Sequence, residues 1–129
     1  MSSTLLTTKL IVHDLEMTAA FYCDAYGFER TGRIQAEIAG EPIDEILLGR
    51  PGGPGSGLIL MKYVDRPAPR NGEVVLVFST DDLEALFARV RGAGGGIYVE
   101  PYQSETTDFK VGFSTDPEGH LIENLEIPG

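Results

Sequence analysis

The sequence predicts an α+β fold made of two tandem strand–helix–strand–strand–strand (βαβββ) modules. Three observations carry this. An apolar strand running into an acid-capped helix occurs twice, at Val12-His13-Asp14-Leu15-Glu16 and at Thr80-Asp81-Asp82-Leu83-Glu84. The strand that closes each repeat also matches, Gly57-Leu58-Ile59-Leu60-Met61 against Gly119-His120-Leu121-Ile122-Glu123. Between the repeats lies Val64-Asp65-Arg66-Pro67-Ala68-Pro69-Arg70-Asn71-Gly72, whose proline and glycine content reads as a linker. The expected organisation is one domain over 1–129, with a first module at 1–63, a linker at 64–72 and a second module at 73–129.

In the first module, Leu5 to Val12 is an apolar, β-branched run that reads as a strand. Asp14 suits the N-cap of a helix from Leu15 to Tyr26, which Gly27 stops at the C′ position. Met17, Ala20, Phe21 and Ala25 fall on one side of that helix and are its expected apolar face. Phe28 to Ile38 is a polar-leaning strand, and Asp44 to Gly49 and Gly57 to Tyr63 are two more, separated by the Pro51–Gly57 loop. In the second module, Glu73 to Ser79 is a strand, and Asp81 with Glu84 reads as a capping box. Leu83, Leu86, Phe87 and Val90 form an apolar helical stripe that Gly92 closes. Gly96 to Tyr102, Phe109 to Ser114 and His120 to Ile127 complete the repeat as strands. The first module is the longer, its surplus falling around Gly40–Ile43 and Pro51–Gly57.

Composition bounds the function. The 129 residues are 42% hydrophobic and 23% charged, a balance that folds without disulfide or metal. Ten basic residues against twenty acidic ones give a net charge of −10. Phosphate neutralisation needs clustered Lys and Arg, so nucleic-acid binding is not expected, and neither is docking on anionic membranes. There is one cysteine, Cys23, and no apolar stretch approaches the ~18 residues of a membrane span. The segment Met1 to Lys9 lacks the basic start and apolar run of a signal peptide, so a cytoplasmic protein is expected. Gly92-Ala93-Gly94-Gly95-Gly96 follows a helix rather than preceding one, which is the reverse of a dinucleotide-binding turn. The Pro51–Gly57 loop lacks a Gly-Lys-Ser/Thr ending and is no phosphate cradle; it is read as a hairpin loop or a lid.

Two segments carry a resemblance. Leu10-Ile11-Val12-His13-Asp14-Leu15-Glu16-Met17-Thr18-Ala19-Ala20-Phe21-Tyr22, ending in Tyr26-Gly27-Phe28, resembles the opening strand and helix of the vicinal oxygen chelate superfamily. That superfamily holds glyoxalase I, extradiol dioxygenases and bleomycin resistance proteins. Phe113-Ser114-Thr115-Asp116-Pro117-Glu118-Gly119-His120-Leu121-Ile122-Glu123 resembles its closing turn and last strand. The resemblance implies modules that pair into a curved mixed sheet, mostly antiparallel, around a cavity, and a homodimer. It also implies a divalent metal held from the first and last strands of each module. At those places this chain has Thr7, Met61, Val75 and Glu123. A hydroxyl, a thioether, a hydrocarbon and one carboxylate make a poor divalent site, so no metal and no cofactor is expected.

Strand alternation then sorts the side chains, starting from the first-strand place at Thr7. Lys9 and Ile11 share its side, with Ile59, Met61 and Tyr63 on the fourth strand. In the second module the corresponding residues are Val75, Val77 and Ser79, then Leu121, Glu123 and Leu125. Such a face has the anatomy of a small-molecule pocket, with apolar walls and a few placed polar groups, here Lys9, Tyr63 and Glu123. The aromatic residues Tyr98, Tyr102, Phe109 and Phe113 line a flat hydrophobic ligand, or else serve as core or dimer contact. A carboxylate among Leu and Val is costly to bury, so Glu123 is expected either to pair with Lys9 or to hold its proton. Three functional readings follow: a metal-free protein binding a hydrophobic or aromatic small molecule; a cofactor-free lyase or isomerase with Glu123 as general base and Lys9 or Tyr63 as acid partner; and a metalloenzyme of the glyoxalase or dioxygenase kind.

Overall fold

The computed structural model describes residues 3–50, 57–70 and 72–128. Its element order is βαβββ twice over: β1 (Lys9–Ile11), α1 (Leu15–Tyr26), β2 (Glu29–Ile38), β3 (Glu41–Gly49) and β4 (Leu58–Tyr63), then β5 (Leu76–Thr80), α2 (Leu83–Gly92), β6 (Gly96–Gln103), β7 (Lys110–Thr115) and β8 (Leu121–Glu126). This is an α+β chain of two tandem modules, each with a four-stranded mixed sheet. The chain divides into two compact units, one of Met1–Cys23 with Gly27–Pro69, the other of Asp24–Tyr26 with Arg70–Gly129.

In the first unit the strand order is β1-β4-β3-β2, with β1 parallel to β4 and the other pairs antiparallel. Helix α1 begins where the sequence predicts, because Asp14 accepts the N–H of Met17 at 3.0 Å. It ends at Gly27, whose φ of 76° is a left-handed conformation that costs glycine nothing; the Gly27 N–H reaches the Cys23 carbonyl at 3.1 Å. Leu15, Thr18, Ala19, Phe21 and Tyr22 are buried, whereas Met17 and Ala20 are exposed, so the apolar face differs from the one expected. Small Thr18 lies inside because its hydroxyl donates to the Asp14 carbonyl at 2.7 Å, which removes the cost of burying it. Leu10, Val12, Ile46, Leu48, Leu58 and Leu60 complete the core of this unit.

Two boundaries of the first unit depart from the sequence reading, and in the second β5 starts at Leu76 rather than Glu73. Strand pairing in β1 covers three residues, and Leu5 and Leu6 are both 86% exposed. The segment around Gly40–Ile43 is no loop. Ala39 (φ 50°) and Gly40 (φ 83°) both have positive φ and join β2 to β3 as a tight hairpin, so β3 starts at Glu41. The part of the expected loop at 51–56 lies outside the described residues.

In the second unit the order is β5-β8-β7-β6, with β5 parallel to β8. Helix α2 packs on β6, β7 and β8 through Leu83, Leu86, Phe87 and Val90, the predicted stripe. Its N-cap is Asp82 rather than Asp81: Asp82 accepts the Ala85 N–H at 3.0 Å, and Glu126 accepts the Leu83 N–H at 2.8 Å. Gly92 is the last helical residue; Gly94, with φ 94°, makes the exit, and the Gly95 N–H closes on the Val90 carbonyl at 2.9 Å. Among the described residues, no helix is long and apolar enough to cross a membrane.

Candidate functional site

Register fixes which side chains share a face. In the first unit Lys9 lies beside Ile59 and Ile11 beside Met61, while Ile59 faces Leu47, Met61 faces Glu45 and Tyr63 faces Ile43. Paired residues project to the same side of a sheet. Lys9, Ile59, Met61 and Tyr63 therefore stand together, and β3 adds Ile43, Glu45 and Leu47. Ile43, Glu45, Ile59 and Met61 are all buried.

Glu45 is the member of this face that sequence reasoning missed. It is 4% exposed among aliphatic neighbours, and its Oε2 stands 2.6 Å from Lys9 Nζ. A pair with Glu123 is one of the two sequence expectations for Lys9 and Glu123; the ion-pair partner of Lys9 is Glu45. The signal was present: an acid between Ile43 and Leu47 in an alternating strand shares their side. At the start of the sheet, Thr7 Oγ1 is buried and has no hydrogen-bond partner among the described residues. Tyr63 lies at the other end, its ring covered by the Arg66 guanidinium at 3.5 Å. Arg66 in turn makes two hydrogen bonds to Glu41, at 2.7 and 3.1 Å; they hold the Glu41 carboxyl below its usual range and push the guanidinium up.

In the second unit, Glu123 pairs with Val77 on one side and Phe113 on the other, and Leu121 and Leu125 precede and follow it on the same face. Tyr102 joins through its pairing with Val111, which faces Leu125. This face is open: Val77 is 57% exposed, while Glu123, Leu121 and Phe113 are half-buried. Val75 precedes β5 and is exposed. Tyr98 falls at a register shift in β6 and is 71% exposed, so it does not line the Glu123 face as Tyr102 does. Phe109 precedes β7 and is half-buried.

The opposite side of that sheet holds a polar network. The Tyr26 hydroxyl donates to Asn124 Oδ1 at 2.8 Å and lies 2.9 Å from Ser114 Oγ, and Asn124 Nδ2 donates to the same Ser114 oxygen at 2.9 Å. Burial pushes the Tyr26 phenol up to about 12. His120 precedes β8, buried, with Nδ1 2.8 Å from Asp116 Oδ2. His13 is exposed. It borders an open hollow of about 350 Å³ on the first unit together with Glu16, Arg33, Asp44 and Lys62. Arg33 spans that hollow, with two 2.7 Å bonds to Asp44 and one of 3.0 Å to Glu16.

The profile of the Glyoxalase/Bleomycin resistance protein/Dioxygenase superfamily matches residues 4–124. The chain belongs to this superfamily. No curated protein matches it by sequence. Among solved structures it is similar to a glyoxalase family protein from Bacillus cereus, with a TM-score of 0.77 and 18% identity over 98% of this chain and 97% of that one. Against a hypothetical protein from S. aureus the TM-score is 0.68 at 25% identity, covering 98% and 99%. Glyoxalase I from Zea mays gives a TM-score of 0.71 at 21% identity, covering 96% of this chain and 44% of the maize chain. This chain thus spans less than half the length of the maize enzyme.

The metal that the superfamily implies does not fit the residues at its places. Thr7 and Met61 in the first unit, and Val75 and Glu123 in the second, bring one carboxylate and neither imidazole nor thiolate. The two histidines stand elsewhere, His13 beside the hollow and His120 on Asp116. Among the described residues, no group of three or more His, Cys, Asp or Glu side chains is arranged to hold an ion.

Proposed function

We propose that this member of the superfamily is a metal-free, cytoplasmic homodimer that binds a hydrophobic or aromatic small molecule. What supports the reading is that the places the resemblance assigns to the metal carry Thr7, Met61, Val75 and Glu123, on sheet faces that are otherwise largely apolar. Ile59 and Met61 supply the wall in the first module. Val77, Leu121, Phe113 and Tyr102 supply it in the second, with Val75 and Tyr98 at its margin. Apolar walls with a few polar groups are what small-molecule sites are made of.

Elemental analysis of protein purified without chelators, together with fluorescence screening against aromatic compounds, tests this. Substoichiometric metal with saturable binding is expected. Stoichiometric metal that is lost in Glu123→Ala overturns it. Sedimentation analysis checks the dimer.

The alternative is a cofactor-free lyase or isomerase of the glyoxalase type. What favours it is the setting of Glu123, a half-buried carboxylate between Val77 and Phe113, where a general base could reach a bound substrate. Its expected acid partners are engaged otherwise, Lys9 by Glu45 and the Tyr63 ring by Arg66. A Glu123→Gln protein with full turnover on a substrate excludes this reading.

A further inference from the structure

Glu123 is a half-buried carboxylate without a counterpart. Among the described residues, no ion pair and no side-chain hydrogen bond involves it. Other acids withdrawn from solvent are held: Glu41 by Arg66, Asp44 by Arg33, Glu45 by Lys9, Asp116 by two backbone N–H groups and Glu126 by the Leu83 N–H. Taking a carboxylate part-way out of water is costly unless a donor or a cation meets it, and the described residues supply neither.

The surroundings of Glu123 are apolar and reachable. Register sets it in one row with Val77, Phe113 and Val99, with Leu121 and Leu125 before and after it, and Tyr102 beyond Val111. Val77, Val99 and Tyr102 are exposed, and Phe113, Leu121 and Leu125 are half-buried. Gly112, on the opposite side of the sheet, meets Phe87 of α2, so the helix covers that side and leaves this one open within the unit. At the paired positions of the open face, Glu123 is the one charged side chain.

We propose that Glu123 is the anchor for an organic ammonium, a protonated amine or a quaternary nitrogen, on an apolar small molecule lying along Val77, Leu121 and Phe113. This rests on the binding function proposed above and names the charge of its ligand. Charge complementarity selects the occupant: one acid in an apolar surround is matched by one cation on an apolar body. The negative faces of the Phe113 and Tyr102 rings attract the same group. The net charge of −10 adds long-range attraction for cations. A second copy docked through its own equivalent face would bring another carboxylate and no cation, so it does not answer the charge.

The test uses three probes built on one ring system: naphthylmethylamine, a cation; naphthylmethanol, neutral; and naphthylacetate, an anion. The full chain is titrated with each at low and high salt, and binding is read from naphthalene fluorescence anisotropy. The amine is expected to bind about tenfold more tightly than the alcohol, the scale of one charge-assisted hydrogen bond, and the acetate least tightly. High salt should weaken the amine and leave the alcohol within about twofold. Glu123→Gln is expected to bring the amine down to the affinity of the alcohol. Glu123 leaves no partner stranded, so this variant is expected to fold; should it not, Glu123→Leu gives the same comparison. Equal affinity of amine and alcohol, or an amine affinity unchanged in these variants, overturns the anchor and leaves the binding function standing. Saturable binding of none of the three overturns both. Amine binding that vanishes as the chain self-associates in sedimentation analysis puts a second copy on this face and also overturns the anchor.

Discussion

Lys9 and Glu45 meet across a strand that belongs to neither: β4 lies between β1 and β3, yet Nζ and Oε2 are 2.6 Å apart. The long lysine stem makes this possible, and it ties together strands with no backbone bonds between them. Removing one partner and removing both should differ in sign. Lys9→Met strands a buried carboxylate; because the lysine end is partly solvated, the expected loss is about 2 kcal/mol, below the ~3–5 kcal/mol of a fully buried pair. Lys9→Met/Glu45→Leu should recover that loss or exceed wild-type stability. Urea denaturation of the three proteins decides it, and a double variant as unstable as the single would contradict the account.

Tyr26 offers a pH signature. Its phenol is held near 12 in the folded state against 10.0 when unfolded, because burial disfavours the phenolate. The folded protein keeps this proton at pH values where the unfolded chain has released it. The stabilisation is therefore complete below pH 10 and is lost as pH rises through 12, with a total of about 3 kcal/mol. Tyr26→Phe should flatten this decline. At neutral pH it should cost about 1–2 kcal/mol, since Asn124 Oδ1 loses its phenol donor. Chemical denaturation at stepped pH gives both values.

Which of these features were legible in the sequence follows from their range. Asp14 and Gly27 act within a few residues of themselves, and α1 has the predicted bounds. Alternation is equally local, so Val77, Leu121 and Glu123 were placed on one face without knowledge of the fold. Asp81 and Asp82 compete as caps with the same chemistry; the choice depends on the extended backbone at Asp82 and on Glu126, far along the chain, which takes the Leu83 N–H. Ala39 gives no turn signal, because alanine rarely adopts positive φ, and the hairpin at Ala39–Gly40 went unread. The partner of Lys9 was misjudged for a similar reason. Nothing local says which acid a long side chain will reach over an intervening strand.

Gly112 should not tolerate a methyl group. A Cβ there would stand 2.6 Å from Phe87 Cζ and 3.0 Å from Cε2, and Phe87 is wholly buried in the α2 stripe. The ring has no exposed surface, so it cannot swing aside without displacing close-packed neighbours. Gly112→Ala is expected to destabilise by about 1–3 kcal/mol, the scale of overpacking a core. The double variant Gly112→Ala/Phe87→Leu should recover part of that loss, a non-additivity that a purely conformational role for Gly112 would not produce.

The turn into β8 is organised by one carboxylate. Asp116 Oδ1 accepts the backbone N–H groups of Glu118 at 2.9 Å and His120 at 3.0 Å, and Oδ2 lies 2.8 Å from His120 Nδ1. Both side chains are buried, so each lost bond leaves a polar group without water to replace its partner. Asp116→Ala removes the carboxylate from two backbone donors and from the imidazole, for an expected loss of about 2–4 kcal/mol. Asp116→Asn separates charge from geometry. Its Oδ1 keeps both backbone bonds, and its Nδ2 donates to Nδ1 if the imidazole moves its proton to Nε2. Asn should then recover more than half of the alanine loss. Urea denaturation of the two variants tests this, and equal losses for Ala and Asn would mean that the negative charge, rather than the hydrogen-bond pattern, holds the turn.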